Sequence, residues 1–110
     1  MYLKEAGLEE WVIRLEKGLD TVVGERGLKL SVGQKQRLNI IRGILLDKDI
    51  YILDEPTSNL DKETEKLIVN LIQKYLKNKT VIIVTHRDEI KKICSRHYEF
   101  KDNIMQEYKL

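Results

Sequence analysis

Asp54 and Glu55 are adjacent carboxylates that follow the apolar run Ile50-Tyr51-Ile52-Leu53 and precede Pro56. A short apolar run without alternation predicts a parallel strand buried on both faces. The acid pair then emerges at the carboxyl end of that strand, where open α/β sheets place their ligands. Two neighbouring acids suit a division of labour in which one carboxylate holds a phosphate-bound Mg²⁺ and the next orients or deprotonates the attacking water. The plainer alternative is a solvated acidic turn. A second apolar run, Val81-Ile82-Ile83-Val84, ends at Thr85-His86 and brings an imidazole to a strand end. Ser31 opens a helical pattern and is a capping type; the free amides and positive dipole end of such a helix form a natural phosphate site.

The elements that must position these groups follow from periodicity. Leu8, Trp11, Val12 and Leu15 recur at spacings of three and four, which predicts an amphipathic helix from Tyr2 to Glu16, ended by Gly18. Residues 19–30 carry glycines and charges without period and read as an irregular loop. A helix from Gly33 to Leu46 would bury Leu38, Ile41, Ile44 and Leu45. Asp61 is a good N-cap for a helix from Lys62 to Lys77, whose pairs Leu67/Ile68, Leu71/Ile72 and Tyr75/Leu76 line one face. Strand, helix and strand in that order predict a right-handed crossover between parallel neighbours, with His86 at the sheet edge that holds Asp54 and Glu55. A helix through Ser95 and two short strands about Phe100 and 104–108, turning at Lys101-Asp102-Asn103, complete the chain.

Composition narrows the setting. The 110 residues are 42% hydrophobic and 35% charged, close enough to globular norms to exclude disorder. The 20 basic and 18 acidic residues nearly cancel to a formal charge of +2, and no basic run stands clear of acids, so no nucleic acid is expected as a partner. Cys94 is the sole cysteine, which excludes an internal disulfide and fits a reduced cytosolic setting with a buried structural thiol. No apolar run approaches membrane-spanning length, and the amino end does not read as a signal peptide.

Taken together, the motifs resemble those of ABC-type ATPases. Leu30-Ser31-Val32-Gly33-Gln34-Lys35-Gln36-Arg37 resembles the signature sequence, with Val32 in place of the first paired glycine. Ile50 to Asp54 with Glu55 resembles the Walker B strand and catalytic glutamate, Ser58-Asn59-Leu60-Asp61 the D-loop, and His86 the switch histidine. Thr21-Val22-Val23-Gly24-Glu25-Arg26-Gly27 is similar to the loop that precedes the signature in ABC exporters. No G-x-x-x-x-G-K-[ST] phosphate loop occurs in the chain, nor do counterparts of the stacking aromatic and glutamine loop.

The resemblance implies a partial P-loop NTPase fold of α/β class: parallel strands with crossover helices and a small carboxyl-terminal hairpin. Residues 1–46 would belong to the helical subdomain and 47–110 to the Walker B, D-loop and switch part of the core. It implies ATP and Mg²⁺ as cofactors. Asp54 would hold the metal through water, Glu55 would act as general base, and His86 would reach the γ-phosphate. Ser31, Gly33 and Gln34 would contact ATP held by a second nucleotide-binding domain, while Ser58 and Asp61 would lie at the dimer seam. Thr21, Gly24, Glu25, Arg26 and Gly27 would face the membrane domains of an exporter on its cytoplasmic side. The amino-terminal half of the domain would be a further partner, and its absence from the sequence predicts little activity alone, exposed apolar faces and unpaired edges. Two other readings stand beside this one: the carboxyl half of an SMC-like chromosome-maintenance ATPase, and a non-catalytic module that only binds subunits.

Overall fold

The computed structural model describes residues 2–24 and 27–110. The amino-terminal helix expected from Tyr2 to Glu16 is broken into α1, Tyr2–Glu5, and α2, Glu9–Arg14. Gly7 sits between them at φ 70°, a left-handed conformation that glycine adopts without a Cβ penalty. A Cβ at this position would come 2.9 Å from Leu67 Cδ1, so the chain also passes close to its neighbour there. The break swings Ala6 and Leu8 into full burial, which a continuous helix with the same stripe would not do for both.

After a 3₁₀ turn at Gly18–Asp20, the chain runs irregularly to α3, Val32–Leu46. Ser31 caps α3 reciprocally: its Oγ accepts from the Gln34 amide at 3.2 Å, and its own N–H donates to Gln34 Oε1 at 3.0 Å. The buried face of α3 is centred on Ile40 and Ile41, flanked by the half-buried Leu38 and Ile44. Leu45, expected on that face, is exposed instead, and Ile40 takes its place. The two flank Ile41 on opposite sides of the helix stripe, so the helical period alone does not decide which edge faces inward. Asp47 ends the helix in the left-handed conformation, at φ 48°.

Strands β1, Ile50–Asp54, and β2, Thr80–Val84, pair in parallel with Ile50 opposite Thr80 and Asp54 opposite Val84. Helix α4, Lys62–Tyr75, joins them as the crossover, capped by Asp61 Oδ1 accepting from the Thr64 amide at 2.7 Å. Its stripe of Ile68, Leu71, Ile72 and the adjoining Leu76 packs with Ala6, Leu8, Ile40, Ile41, Tyr51 and Ile90 as the core. The Tyr51 hydroxyl fixes β1 to the end of α3, donating to Gly43 O at 2.8 Å and accepting from the Lys48 amide at 2.9 Å.

The expectation that the first strand is buried on both faces is corrected. Tyr51 and Leu53 turn toward the core, whereas Ile52 is 72% exposed and its β2 partner Ile82 54% exposed. No layer covers that face among the described residues, and the radius of gyration, 15.6 Å, exceeds the roughly 13 Å of a compact domain this long. A short helix α5, Asp88–Lys91, stops well before Ser95. It is followed by the hairpin β3, His97–Lys101, and β4, Ile104–Tyr108, in which Phe100 faces Met105. Asp102 and Asn103 both take positive φ in its two-residue turn, the backbone form that matches strand twist.

Candidate functional site

The parallel ladder does not stop at Asp54. The Glu55 amide donates to Val84 O at 2.8 Å, carrying the register one residue further before Glu55 itself turns left-handed at φ 49°. Thr85 and His86 leave the neighbouring strand at the same level. In consequence His86 Nε2 lies 3.5 Å from Glu55 Oε1, within ion-pair reach of a protonated imidazole. His86 is 94% exposed and Glu55 31%, so the pair stands at an open rim. Asp54 is exposed beside it, and its carboxylate makes no hydrogen bond or ion pair among the described residues. A cleft of about 400 Å³ between α3 and β1 opens along this rim, lined by Gln36, Asn39, Leu53, Asp54 and Glu55 among others.

From Glu55 the chain turns through Pro56 and Thr57 to Asp61, held by Ser58 N–H to Glu55 O at 3.2 Å and Leu60 N–H to Thr57 O at 3.4 Å. Asn59 adopts φ 62° within that turn. Hydrogen bonds from Thr64 hold the Asp61 carboxyl below the usual carboxylate range, with the positive charge of Arg37 adding to the effect.

The candidate phosphate-binding segment is placed elsewhere. Gly33 packs toward this turn: a Cβ there would lie 3.5 Å from Thr64 Cγ2 and 3.6 Å from Leu60 Cδ2, ordinary contact distances. Its own fold therefore leaves room for a side chain at Gly33, and the neighbouring Val32 is exposed. Arg37 braces the segment, donating from Nε to Gly33 O at 3.1 Å and from Nη1 to Ala6 O at 3.0 Å. Burial lowers its pKa from the ordinary guanidinium value. Ser31 Oγ and Gln34 Oε1 bond each other's amides, so the first turn of α3 has fewer open donors than the sequence pattern suggests. No hydrogen bond or ion pair joins Ser31, Gly33 or Gln34 to Asp54, Glu55 or His86 among the described residues.

The loop at 21–27 is tied by its backbone. Leu28 N–H donates to Val22 O at 2.8 Å, Gly24 N–H to Leu28 O at 3.0 Å, and Gly27 N–H to Gly24 O at 3.2 Å. Thr21 Oγ1 donates back to Gly18 O at 2.8 Å. Any Cβ on Gly27 would fall 2.1 Å from Val22 O, which makes glycine a steric need there. Glu25 and Arg26 lie outside the described residues.

Two site-proximal residues escaped the sequence reading. Glu65 is only 3% exposed on the apolar stripe of α4, and Arg87 Nε donates to its Oε2 at 2.7 Å. The signal in the sequence is a charge three and seven residues before Ile68 and Ile72, where an apolar residue belongs. Its partner is not legible from the pattern, since the two meet only through the crossover.

Donor chemistry admits a magnesium nucleotide in part. Asp54 and Glu55 offer hard oxygen donors suited to Mg²⁺, but the described residues hold no cluster of three or more His, Cys, Asp or Glu. Asp54 and Glu55 would therefore supply only part of a Mg²⁺ ligand set.

Comparison with known proteins agrees with the fold. The family profile described as ABC transporter matches residues 3–58. The chain belongs to the ABC transporter family, and its parallel strand pair with crossover helix is a portion of the P-loop NTPase fold. It is 51% identical over 85 residues to the uncharacterized ABC transporter ATP-binding protein YwjA of Bacillus subtilis, covering 77% of this chain and 15% of the relative. Identity to the ATP-dependent lipid A-core flippase of Pasteurella multocida is 45% over 106 residues, 90% of this chain and 18% of the flippase. The human mitochondrial iron-sulfur clusters transporter ABCB7 is 48% identical over 84 residues, 76% of this chain and 11% of that protein. The chain spans less than a fifth of the length of each of these curated relatives. Among the described residues no helix is long and apolar enough to cross a membrane.

Proposed function

We propose that this chain supplies the water-activating side and the signature segment of an ATP-hydrolysing site that powers an ABC exporter. The observation that carries this reading is the approach of His86 to Glu55 at the shared end of β1 and β2. A carboxylate and an imidazole held at one rim can take a proton from water and steady the water's position. Glu55 is the general base and His86 orients the nucleophile and meets the terminal phosphate. Asp54 would hold the metal. Bound magnesium nucleotide supplies the phosphoanhydride and the charge that draws the attack; the chain's part is positioning and proton acceptance.

Ser31, Gly33 and Gln34 serve a second site in trans, on nucleotide held by another nucleotide-binding domain. Ser58 and Asp61 belong to the seam between the two domains. The Thr21–Gly27 loop, with Gly24, Glu25 and Arg26, faces the membrane domains at the cytoplasmic side; the flippase and transporter names among the relatives support this direction over a chromosome-maintenance role. Family membership likewise supports a catalytic part over a bare subunit-binding one.

The phosphate cradle comes from a segment outside this sequence. The cleft beside Asp54 and Glu55 and the open Ile52–Ile82 face are the surfaces it would cover. Mixing the chain with a phosphate-loop-bearing half domain from a relative tests the reading. Steady phosphate release from the mixture and none from either part is expected; no complex and no turnover would refute it.

A further inference from the structure

A buried carboxylate on an apolar helix stripe calls for an explanation beyond stability. Isolated, such a charge is strongly disfavoured, and even a paired one often stabilises no better than well-packed apolar residues of the same volume. The Glu65–Arg87 pair does something an apolar pair cannot. Arg87 Nε is held by Glu65 at 2.7 Å, and from that fixed position Nη2 reaches Leu60 O at 3.3 Å. Leu60 immediately precedes Asp61, and Arg87 immediately follows His86. The Arg87 amide in turn donates to Thr85 Oγ1 at 3.0 Å, closing the short turn around His86.

We propose that Glu65 and Arg87 form a positioning clamp that couples the turn at 57–61 to the turn at 85–87, so that His86 is set opposite Glu55 only while the Asp61 turn is in place. The significance of the clamp rests on the roles given above to Glu55, His86 and Asp61; its existence does not. Neither member touches reacting atoms. Arg87 acts by gripping both turns with a planar guanidinium that bonds in two directions at once. Glu65 acts by fixing the orientation of that guanidinium from the side of α4.

The test uses the isotope-labelled full chain, with no nucleotide. Arg87→Lys keeps the charge beside Glu65 but removes the second direction of bonding, and Glu65→Gln keeps shape while removing the charge. Amide hydrogen exchange at Ser58, Leu60 and Arg87, and the nuclear Overhauser contact between the His86 ring and the Glu55 side chain, are the readouts. Arg87→Lys is expected to speed exchange in both turns together by about tenfold and to weaken the His86–Glu55 contact, while the Leu53 and Ile82 amides, which the parallel register pairs within the ladder, stay protected. Acceleration in one turn without the other, an unchanged His86–Glu55 contact, or an equal loss throughout the strands would each overturn the clamp. If Glu65→Gln loosens the whole fold, Arg87→Lys alone decides. Failure of the reassembled protein to hydrolyse ATP would sink the ATPase reading and leave this coupling measured independently.

Discussion

Glu55 Oε1 and His86 Nε2 stand 3.5 Å apart because their residues leave neighbouring parallel strands at one level, with the Glu55 amide bonded to Val84 O. The side chains come from opposite ends of a strand–helix–strand crossover, so they meet only where β1 and β2 pair. That dependence makes the juxtaposition a property of tertiary packing, and its chemical value can be tested one group at a time.

In the reassembled domain, Glu55→Gln preserves shape but removes the proton acceptor. Phosphate release is expected to fall by about 100-fold or more, the usual contribution of a general base. His86→Ala should cost on the order of 100-fold through the lost contact to developing charge. Normal turnover in the Glu55 variant would leave the acid pair without a catalytic part.

The uncovered sheet face offers a separable prediction. Ile52→Asp and Ile82→Asp, made singly, alter exposed positions, so each should cost the chain alone only about 1 kcal/mol, the strand preference that Asp lacks. The same substitutions should abolish association with the phosphate-loop half, read by analytical ultracentrifugation. Retained association would move the docking surface elsewhere.

Stability against pH should report on the amino-terminal segment. Lys74 Nζ donates to Glu5 Oε1 at 2.7 Å and the Tyr75 hydroxyl donates to Oε2, while the Tyr2 and Tyr75 rings meet tilted by 51° with centroids 4.8 Å apart. The Lys74 hydrogen bond above all, then that of Tyr75, pulls the Glu5 carboxyl down to about 2 from an ordinary 4.5. A depressed carboxylate stabilises fully above its unfolded value and loses that contribution as pH falls through the folded one. Wild type should therefore melt above Glu5→Gln near neutral pH, and the two curves should converge as pH drops from about 4.5 to about 2. A constant gap across that window would assign the difference to packing.

Gly7→Ala tests the break between α1 and α2. At φ 70°, with Leu67 Cδ1 2.9 Å from the added carbon, alanine should cost about 1–2 kcal/mol in chemical denaturation. A neutral or stabilising result would mean the segment folds as the continuous helix that its periodicity suggests.

Much of the architecture was legible because it is local. The Asp61 cap, the α4 stripe, both parallel strands and the Asp102-Asn103 turn each carry their signal within a few residues. The split helix was not legible, because the Leu8–Leu15 stripe lies wholly downstream of the break at Gly7 and carries no trace of it. Nor was the one-sided burial of β1: an unbroken apolar run reports that both faces avoid water somewhere, not that this chain supplies both covers. Glu65 and Arg87 were missed for a third reason. Their pairing depends on the crossover, and neither residue belongs to a recognisable motif.

The hydrogen bond from the Glu55 N–H to Val84 O does more than extend the ladder. It sets the mouth between acid and imidazole by main-chain spacing, close to the roughly 4.8 Å between adjacent strands. Side-chain drift over generations can change how polar or bulky the lips are, yet their gauge stays cut into the peptide backbone.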